Sequence, residues 1–202
     1  MDQLAPQSVR QSLRRSLLQQ RQQQPSGQVA VLSRAICHHV LTHSCYQNAR
    51  AIALYWPIHH EVDPTLLIQP AHDSGKTILL PVIVSTTSYQ LCLAPFRPGD
   101  PLLPGPFGIL QPACLTDTVS CHQLDQIDVL FMPVVGFDTQ GGRLGYGGGY
   151  YDRCLAATAA SCRSPCRVGL AYQWQQLEIL PLQPHDVRLQ SVVTEQGWRN
   201  FS

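Results

Sequence analysis

The chain has 202 residues, enough for one domain with its own core against the usual ~100–200 residues per domain. Its 44% apolar content excludes a disordered chain, and its 13% charged residues fall well below the roughly 25% of ordinary domains. A net charge of +1 offers no global field for nucleic acid or an anionic membrane, so any basic chemistry has to be local.

No apolar run reaches the ~18 residues of a membrane span. The polar, Arg- and Gln-rich stretch Met1–Gln24 lacks the apolar segment of a signal peptide, and a cytoplasmic location is expected. Val9, Leu13, Leu17 and Leu18 recur near helical spacing, which predicts a helix over Leu4–Gln23 ended by Pro25-Ser26-Gly27. A second helix is predicted over Val29–Thr42. Arg50–Trp56 is an apolar run of strand length closed by Pro57. Pro64–His72 reads as a helix, with Asp63 as N-cap and Pro64 at the first helical position. Thr77–Val84 and Tyr89–Ala94 read as strands. Arg97–Pro112, rich in Pro and Gly, is expected to be loop. Ile127–Met132 is the strongest strand, Tyr151–Ala160 a helix, and Arg167–Ala171 and Ser191–Thr194 two further strands. Strands alternating with helices predict an α/β domain with a mainly parallel sheet, whose ligands bind beyond the carboxyl ends of the strands. Without a convincing linker, residues 1–202 are read as a single domain.

The eight cysteines contain no CxxC pair and are expected to be reduced, because a chain of this length does not need disulfides to hold its core. Cys37, His38, His39, His43 and Cys45 cluster in a helix predicted over Gln28–Cys45, but their spacing matches no zinc pattern, so no metal is expected there.

The segment Gly136–Arg153 follows the strongest strand and leads into a helix, which is where a phosphate cradle belongs. Glycines let backbone N–H groups approach oxyanions, a helix start adds unpaired N–H groups, and Arg143 adds a charge-assisted contact. Asp152, beside such phosphates, suits a magnesium ion. The loop lacks the Lys-Ser/Thr of a P-loop, and residue 150 is Tyr where a dinucleotide fingerprint needs its third glycine. A turn that needs positive φ is the bland alternative.

The string GGRLGYGGGYYDR (141–153) on this strand–loop–helix frame resembles the signature of the 5-formyltetrahydrofolate cyclo-ligases, also called methenyltetrahydrofolate synthetases. Arg10 and Arg14 resemble that family's basic pair on its first helix. Tyr55–Ile68 resembles its segment around a substrate-binding glutamate, and Gly75–Pro81, Asp128–Asp138, Val168–Tyr172 and Pro184–Asp186 follow in order. The resemblance spans nearly the whole chain. It implies a three-layer α/β/α fold and an ATP- and Mg2+-dependent ligase that cyclises 5-formyltetrahydrofolate, with or without a polyglutamate tail, as a monomer. In that family ATP phosphorylates the formyl oxygen, and N10 attacks the activated carbon to give 5,10-methenyltetrahydrofolate, ADP and phosphate.

By the same resemblance ATP is bound by Arg10, Arg14, Arg143, Leu144, Gly145, Tyr146, Gly147, Gly148, Gly149, Tyr150 and Tyr151. The folate is bound by Trp56, Glu61 and the loop tip Tyr146–Tyr150, the metal by Asp152 and Asp186, and catalysis rests on Arg143 and Tyr151. Read without the family, Arg10 and Arg14 share one helix face and form a surface pair. Trp56 then reads as a core aromatic, Glu61 as a loop carboxylate, Tyr150 and Tyr151 as packing residues, and Asp152 as a helix-dipole partner. Two other functions stay open at this point: a sugar-phosphate isomerase-like enzyme, for which no acid/base pair stands out, and a non-catalytic nucleotide-binding regulator.

Overall fold

The structure is a computed structural model that describes residues 6–113, 121–156 and 163–201. Helix α1 (Pro6–Gln22) is followed by α2 (Ser26–Thr42) and the short α3 (Ser44–Gln47). His43 separates the last two and its ring accepts from the Cys45 N–H at 3.2 Å. Strand β1 is only Ala51–Ala53, shorter than the apolar run that contains it, because the run leaves the sheet after Leu54, whose N–H still donates to the Leu79 carbonyl at 2.9 Å. The expected Asp63 cap is present, accepting from the Thr65 N–H at 2.9 Å. It starts a 3-10 turn (Pro64–Leu67) that runs on into α4 (Ile68–Asp73). Strands β2 (Thr77–Ser85) and β3 (Gln90–Pro95) form a hairpin.

The expected loop at Arg97–Pro112 instead carries a second hairpin, β4 (Leu102–Pro104) with β5 (Leu110–Pro112). Its strands are three residues each and rich in Pro, so they leave no strand period to read. Strand β6 (Val129–Pro133) leads into a small ribbon, β7 (Gly136–Phe137) with β8 (Arg143–Leu144), then α5 (Tyr150–Ala156). Residues 157–160 of the expected helix, and Leu4 and Ala5 of the first, lie outside the described residues. Strands β9 (Cys166–Leu170), β10 (Ser191–Thr194) and β11 (Gly197–Asn200) complete the chain.

The main sheet runs β11-β10-β9-β6-β1-β2-β3. The pairs from β10 to β2 are parallel, and the edge strands β3 and β11 are antiparallel. Alternate residues divide between two cores. Ile52, Ile78, Leu80, Val129, Phe131 and Val168 pack with Ile36 and Val40 of α2 and Leu67. Ala53, Leu79, Leu130, Met132 and Val192 pack on the other face with Leu124, Cys154 and Leu155. A sheet buried on both faces in this way is the middle of three layers, and its strands read as continuous apolar runs. Helix α1 stands apart: Leu17 packs with Val135, Leu144 and Leu180 in a third, smaller cluster at the carboxyl end of the sheet. No helix among the described residues is long and apolar enough to cross a membrane.

The chain starts the sheet at β1, extends it to β2 on one side, then returns to lay β6, β9 and β10 on the other. Strand order therefore reverses between β1 and β6, which is where ligands bind in open α/β sheets.

Candidate active site

A cavity of about 930 Å³ opens at this switch point. Its walls come from the segments after β1 (Tyr55, Trp56, Glu61) and β6 (Pro133, then Arg143 and Gly145–Asp152), from β2 (Pro81, Ile83), and from α1 (Arg10, Arg14). Asp186 and His185 close the floor near α1. The structure thus brings together every residue singled out from the sequence except Leu144, whose side chain is buried in the cluster that seats α1.

The glycine loop takes its shape from Asp138, a buried carboxylate with 1% exposure. Its Oδ1 accepts from the N–H groups of Gln140 (2.9 Å) and Gly142 (2.7 Å), and its Oδ2 from Leu180 (3.1 Å). A side chain at Gly142 would strike that carboxylate, since a Cβ there falls 2.6 Å from Oδ2. Further on, Gly147 has φ +104, and its open face lies against the guanidinium of Arg14. The same guanidinium donates from Nε to the Gly145 carbonyl at 2.8 Å. Loop and helix are thereby joined by an arginine laid flat over backbone that only glycine presents without strain.

Three arginine–carboxylate pairs organise the site. Arg10 donates to both Asp186 oxygens, at 2.5 and 3.2 Å, and to the Pro181 carbonyl at 3.0 Å. Arg143 donates from Nη2 to both Asp152 oxygens at 3.1 Å. It is 7% exposed, and its guanidinium lies over the Tyr151 ring at 5.7 Å. Arg21 lies 3.8 Å from Glu61. The surface-pair alternative for Arg10 and Arg14 fails, since both side chains are engaged across more than 130 residues of sequence.

Glu61 is 5% exposed. Burial pushes its carboxyl above the ordinary range, against the opposing pull of Arg21 and of hydrogen bonds from the Ile58 N–H and the Tyr146 hydroxyl. The turn that aims it inward passes through His59 (φ 48) and His60 (φ 60), two consecutive non-glycine residues in the left-handed region. Strain of this kind persists only where the surroundings impose it, and it gathers at functional sites. Trp56 lines the cavity and meets Phe96 edge-on, with centroids 6.5 Å apart.

Tyr89 (φ 54) and Phe107 (φ 60), from the tips of the two hairpins, reach the same cavity. Both meet Tyr150 edge-on, at 5.6 and 6.3 Å, and the buried Tyr150 hydroxyl has no hydrogen-bond partner among the described residues. These two aromatics and Arg21 carry no sequence signal, because their partners are assembled only by the fold.

Asp152 and Asp186 line one cavity, and the Val187 N–H donates to Asp152 at 3.2 Å, so the two segments touch. Hard carboxylate oxygens in a pair fit Mg2+, which takes one or two carboxylates and completes its shell with water and substrate phosphates. No cluster of three or more metal-ligating side chains occurs among the described residues. In the Cys/His group at the end of α2 and the start of α3, the Cys37 thiol donates to the Asp63 carbonyl, His39 contacts the Glu195 carbonyl, and His43 stacks on Trp198 at 3.8 Å. Cys37, Cys45 and Cys166 are free thiols. Cys114, Cys162 and the Cys121 side chain lie outside the described residues.

Comparison with known proteins agrees with this geometry. Residues 6–195 match the 5-formyltetrahydrofolate cyclo-ligase family model. A 5-formyltetrahydrofolate cyclo-ligase of Haemophilus influenzae is 37% identical over 155 residues, covering 77% of this chain and 81% of its own. That of Escherichia coli is 33% identical over 181 residues, covering 90% and 94%. Among solved structures, a 5,10-methenyltetrahydrofolate synthetase of Aquifex aeolicus superposes with a TM-score of 0.80 at 30% identity, over 95% of this chain and 92% of that one. The family-model match over residues 6–195, with the fold and chain coverage shared with these relatives, places this chain in the 5-formyltetrahydrofolate cyclo-ligase family.

Proposed function

We propose that the chain, acting as one monomeric domain over residues 1–202, converts 5-formyltetrahydrofolate to 5,10-methenyltetrahydrofolate with ATP and Mg2+, releasing ADP and phosphate. The observation that carries this is one cavity with two chemically distinct walls. Arg10, Arg14 and Arg143 with the backbone of Gly145–Gly149 make a cationic, N–H-rich wall for phosphates. Trp56, Glu61, Tyr146 and Tyr150 make a flat aromatic wall with a buried acceptor for a fused ring that carries N–H groups. At about 930 Å³ the cavity stands near the top of the usual 300–1,000 Å³ range for ligand sites, as two ligands held face to face require.

The formyl group on N5 is an amide whose oxygen leaves poorly. Phosphoryl transfer to that oxygen makes it phosphate, and attack of N10 on the formyl carbon expels it and closes the ring. Such transfer needs positioning and charge neutralisation rather than a protein nucleophile. Arg143, buried and supported by the Tyr151 ring, is held where charge develops on the moving phosphoryl group. Arg10 and Arg14 orient the polyphosphate, and Leu144 contributes through the backbone it shares with the loop. Trp56 and Tyr150 fix the plane of the folate ring, and Glu61 accepts from its N–H edge. Asp152 and Asp186 are the residues to hold Mg2+, which when bound neutralises phosphate charge.

The test is absorbance at the methenyl-folate band with purified protein, 5-formyltetrahydrofolate, ATP and Mg2+, each omitted in turn. A rise that needs all four is expected. Folded protein that gives no rise sinks the reaction; ATP binding without turnover would instead identify a nucleotide-binding regulator.

A further inference from the structure

We infer that Arg21, at the far end of α1 from the phosphate arginines, is the positioning residue for Glu61, a role that rests on the folate reading above. Arg21 lies seven residues after Arg14, two helical turns along the same face. Its side chain is 1% exposed and does not line the cavity. Behind the wall, its guanidinium is spread over three partners at once. Nε donates to the His59 carbonyl at 3.0 Å, Nη2 donates to the Tyr146 hydroxyl, and Nη1 stands 3.8 Å from Glu61 Oε1. The Tyr146 hydroxyl in turn donates a hydrogen bond to Glu61 Oε1 at 2.9 Å, and the Ile58 N–H donates to Oε2 at 2.9 Å.

Two consequences follow. Arg21 pins the carbonyl of His59, the first of the two strained residues that turn Glu61 inward, so it fixes where the carboxylate points. It is also the cation paired with a carboxylate that burial drives toward its neutral form. The phenols of Tyr55, Tyr146, Tyr151 and Tyr172 are all shifted upward, chiefly by burial, and stay neutral; His59 and His60 belong to the same turn. A single planar fork serving three directions is a task for arginine rather than lysine. The ionised Glu61 that accepts from the folate edge is therefore maintained by the helix that carries the phosphate-binding arginines.

The test is steady-state kinetics of Arg21→Gln and Arg21→Lys against pH, varying folate at saturating ATP and the reverse. Arg21→Gln is expected to lower kcat/KM for folate by about 10- to 100-fold, as loss of a charged hydrogen-bonding partner does, and to change kcat/KM for ATP by less than about 3-fold, within the scatter of ordinary surface substitutions. Its acid limb moves to higher pH, because Glu61 without its counter-charge takes up a proton more readily. Arg21→Lys keeps the charge, so its acid limb stays near that of the wild type while its folate KM rises. Folded variants with the wild-type acid limb and wild-type folate KM overturn the inference. If Arg21→Gln does not fold, the carboxyl 13C titration of Glu61 in wild type and Arg21→Lys decides the point: the retained charge keeps the midpoint near that of the wild type while the lost fork moves the carboxyl chemical shift, and identical chemical shifts overturn the inference. An inactive wild type sinks the reaction reading instead, and the same titration still judges Arg21.

Discussion

Arg143 shows how a residue named from a motif changes meaning once its surroundings are known. As a loop arginine it reads as removable without structural cost, yet its guanidinium holds Asp152 with both oxygens at 3.1 Å and lies over Tyr151. Arg143→Ala leaves a mostly buried carboxylate without its cation. That costs about 1–3 kcal/mol, which lowers Tm by roughly 2–4 °C per kcal/mol for a chain of this size. Turnover falls as well. The double variant Arg143→Ala/Asp152→Asn removes both charges, so it should recover most of the lost Tm and none of the turnover. Thermal unfolding and turnover of wild type, the two single variants and the double variant check this; a double variant as unstable as Arg143→Ala would show that the pair is not what the alanine disrupts. At this scale the glycine loop was legible because its chemistry lies within thirteen consecutive residues, 141–153. Arg21 was not: it sits in a Gln-rich stretch that reads as a solvated face, and its partners lie 38 to 125 residues away. Glu61 was legible as a residue, but its burial was not, since the turn that buries it depends on left-handed histidines that no propensity suggests.

Among the elements, those with an apolar period of their own were readable from the sequence, and those defined by a partner were not. The core strands β2, β6, β9 and β10 and the helices α1 and α2 follow from runs and spacing. The β4–β5 and β7–β8 ribbons and β11 exist because a neighbouring strand completes their hydrogen bonds, so composition alone returned loop. Helix α1 is the element on which function and packing diverge most. It carries Arg10, Arg14 and Arg21, yet none of its residues belongs to either core of the sheet; it is seated by Leu17 with Leu13 and Leu18 against Val135, Leu144 and Leu180. Leu17 lies directly on the backbone of Gly136, where a Cβ would fall 2.7 Å from its Cδ1. Truncating a buried leucine costs about 2–5 kcal/mol when the structure stays closed around the gap. A helix held by so small a cluster is expected to open locally instead. Leu17→Ala should therefore raise hydrogen exchange through α1 while leaving β1, β6 and β9 protected, and it should weaken ATP use, because Arg10 and Arg14 leave with the helix. Exchange read by peptide-resolved mass spectrometry checks this. Uniform loss of protection across the sheet would mean that α1 is part of the cooperative core.

Taken as a whole, the molecule carries little net charge and sets three balanced arginine–carboxylate pairs at the carboxyl end of its sheet. Net charge is +1 over 202 residues, and within the cavity Arg10 is matched by Asp186, Arg143 by Asp152 and, behind its wall, Arg21 by Glu61. A polyanion that enters alone has to part the first two pairs and then lie beside two released carboxylates. A divalent cation that enters alone has to take carboxylates already satisfied by arginine. On the function proposed above, when the two arrive together the arginines would turn to phosphate and the carboxylates to the cation, so that no charge is left facing its like. Binding of ATP and Mg2+ is therefore expected to be synergistic beyond the formation of their complex in solution, with a coupling of about 1–3 kcal/mol, or roughly 5- to 150-fold in affinity. Asp152→Asn separates this from the solution effect. It removes one repelling carboxylate and one acceptor for the cation, so the variant should bind metal-free ATP more tightly than wild type and gain less when Mg2+ is added. Titration calorimetry of both proteins with ATP, with and without Mg2+, reads the two differences directly. An equal gain from Mg2+ in wild type and variant would remove Asp152 from the metal site and leave its role as the anchor of Arg143.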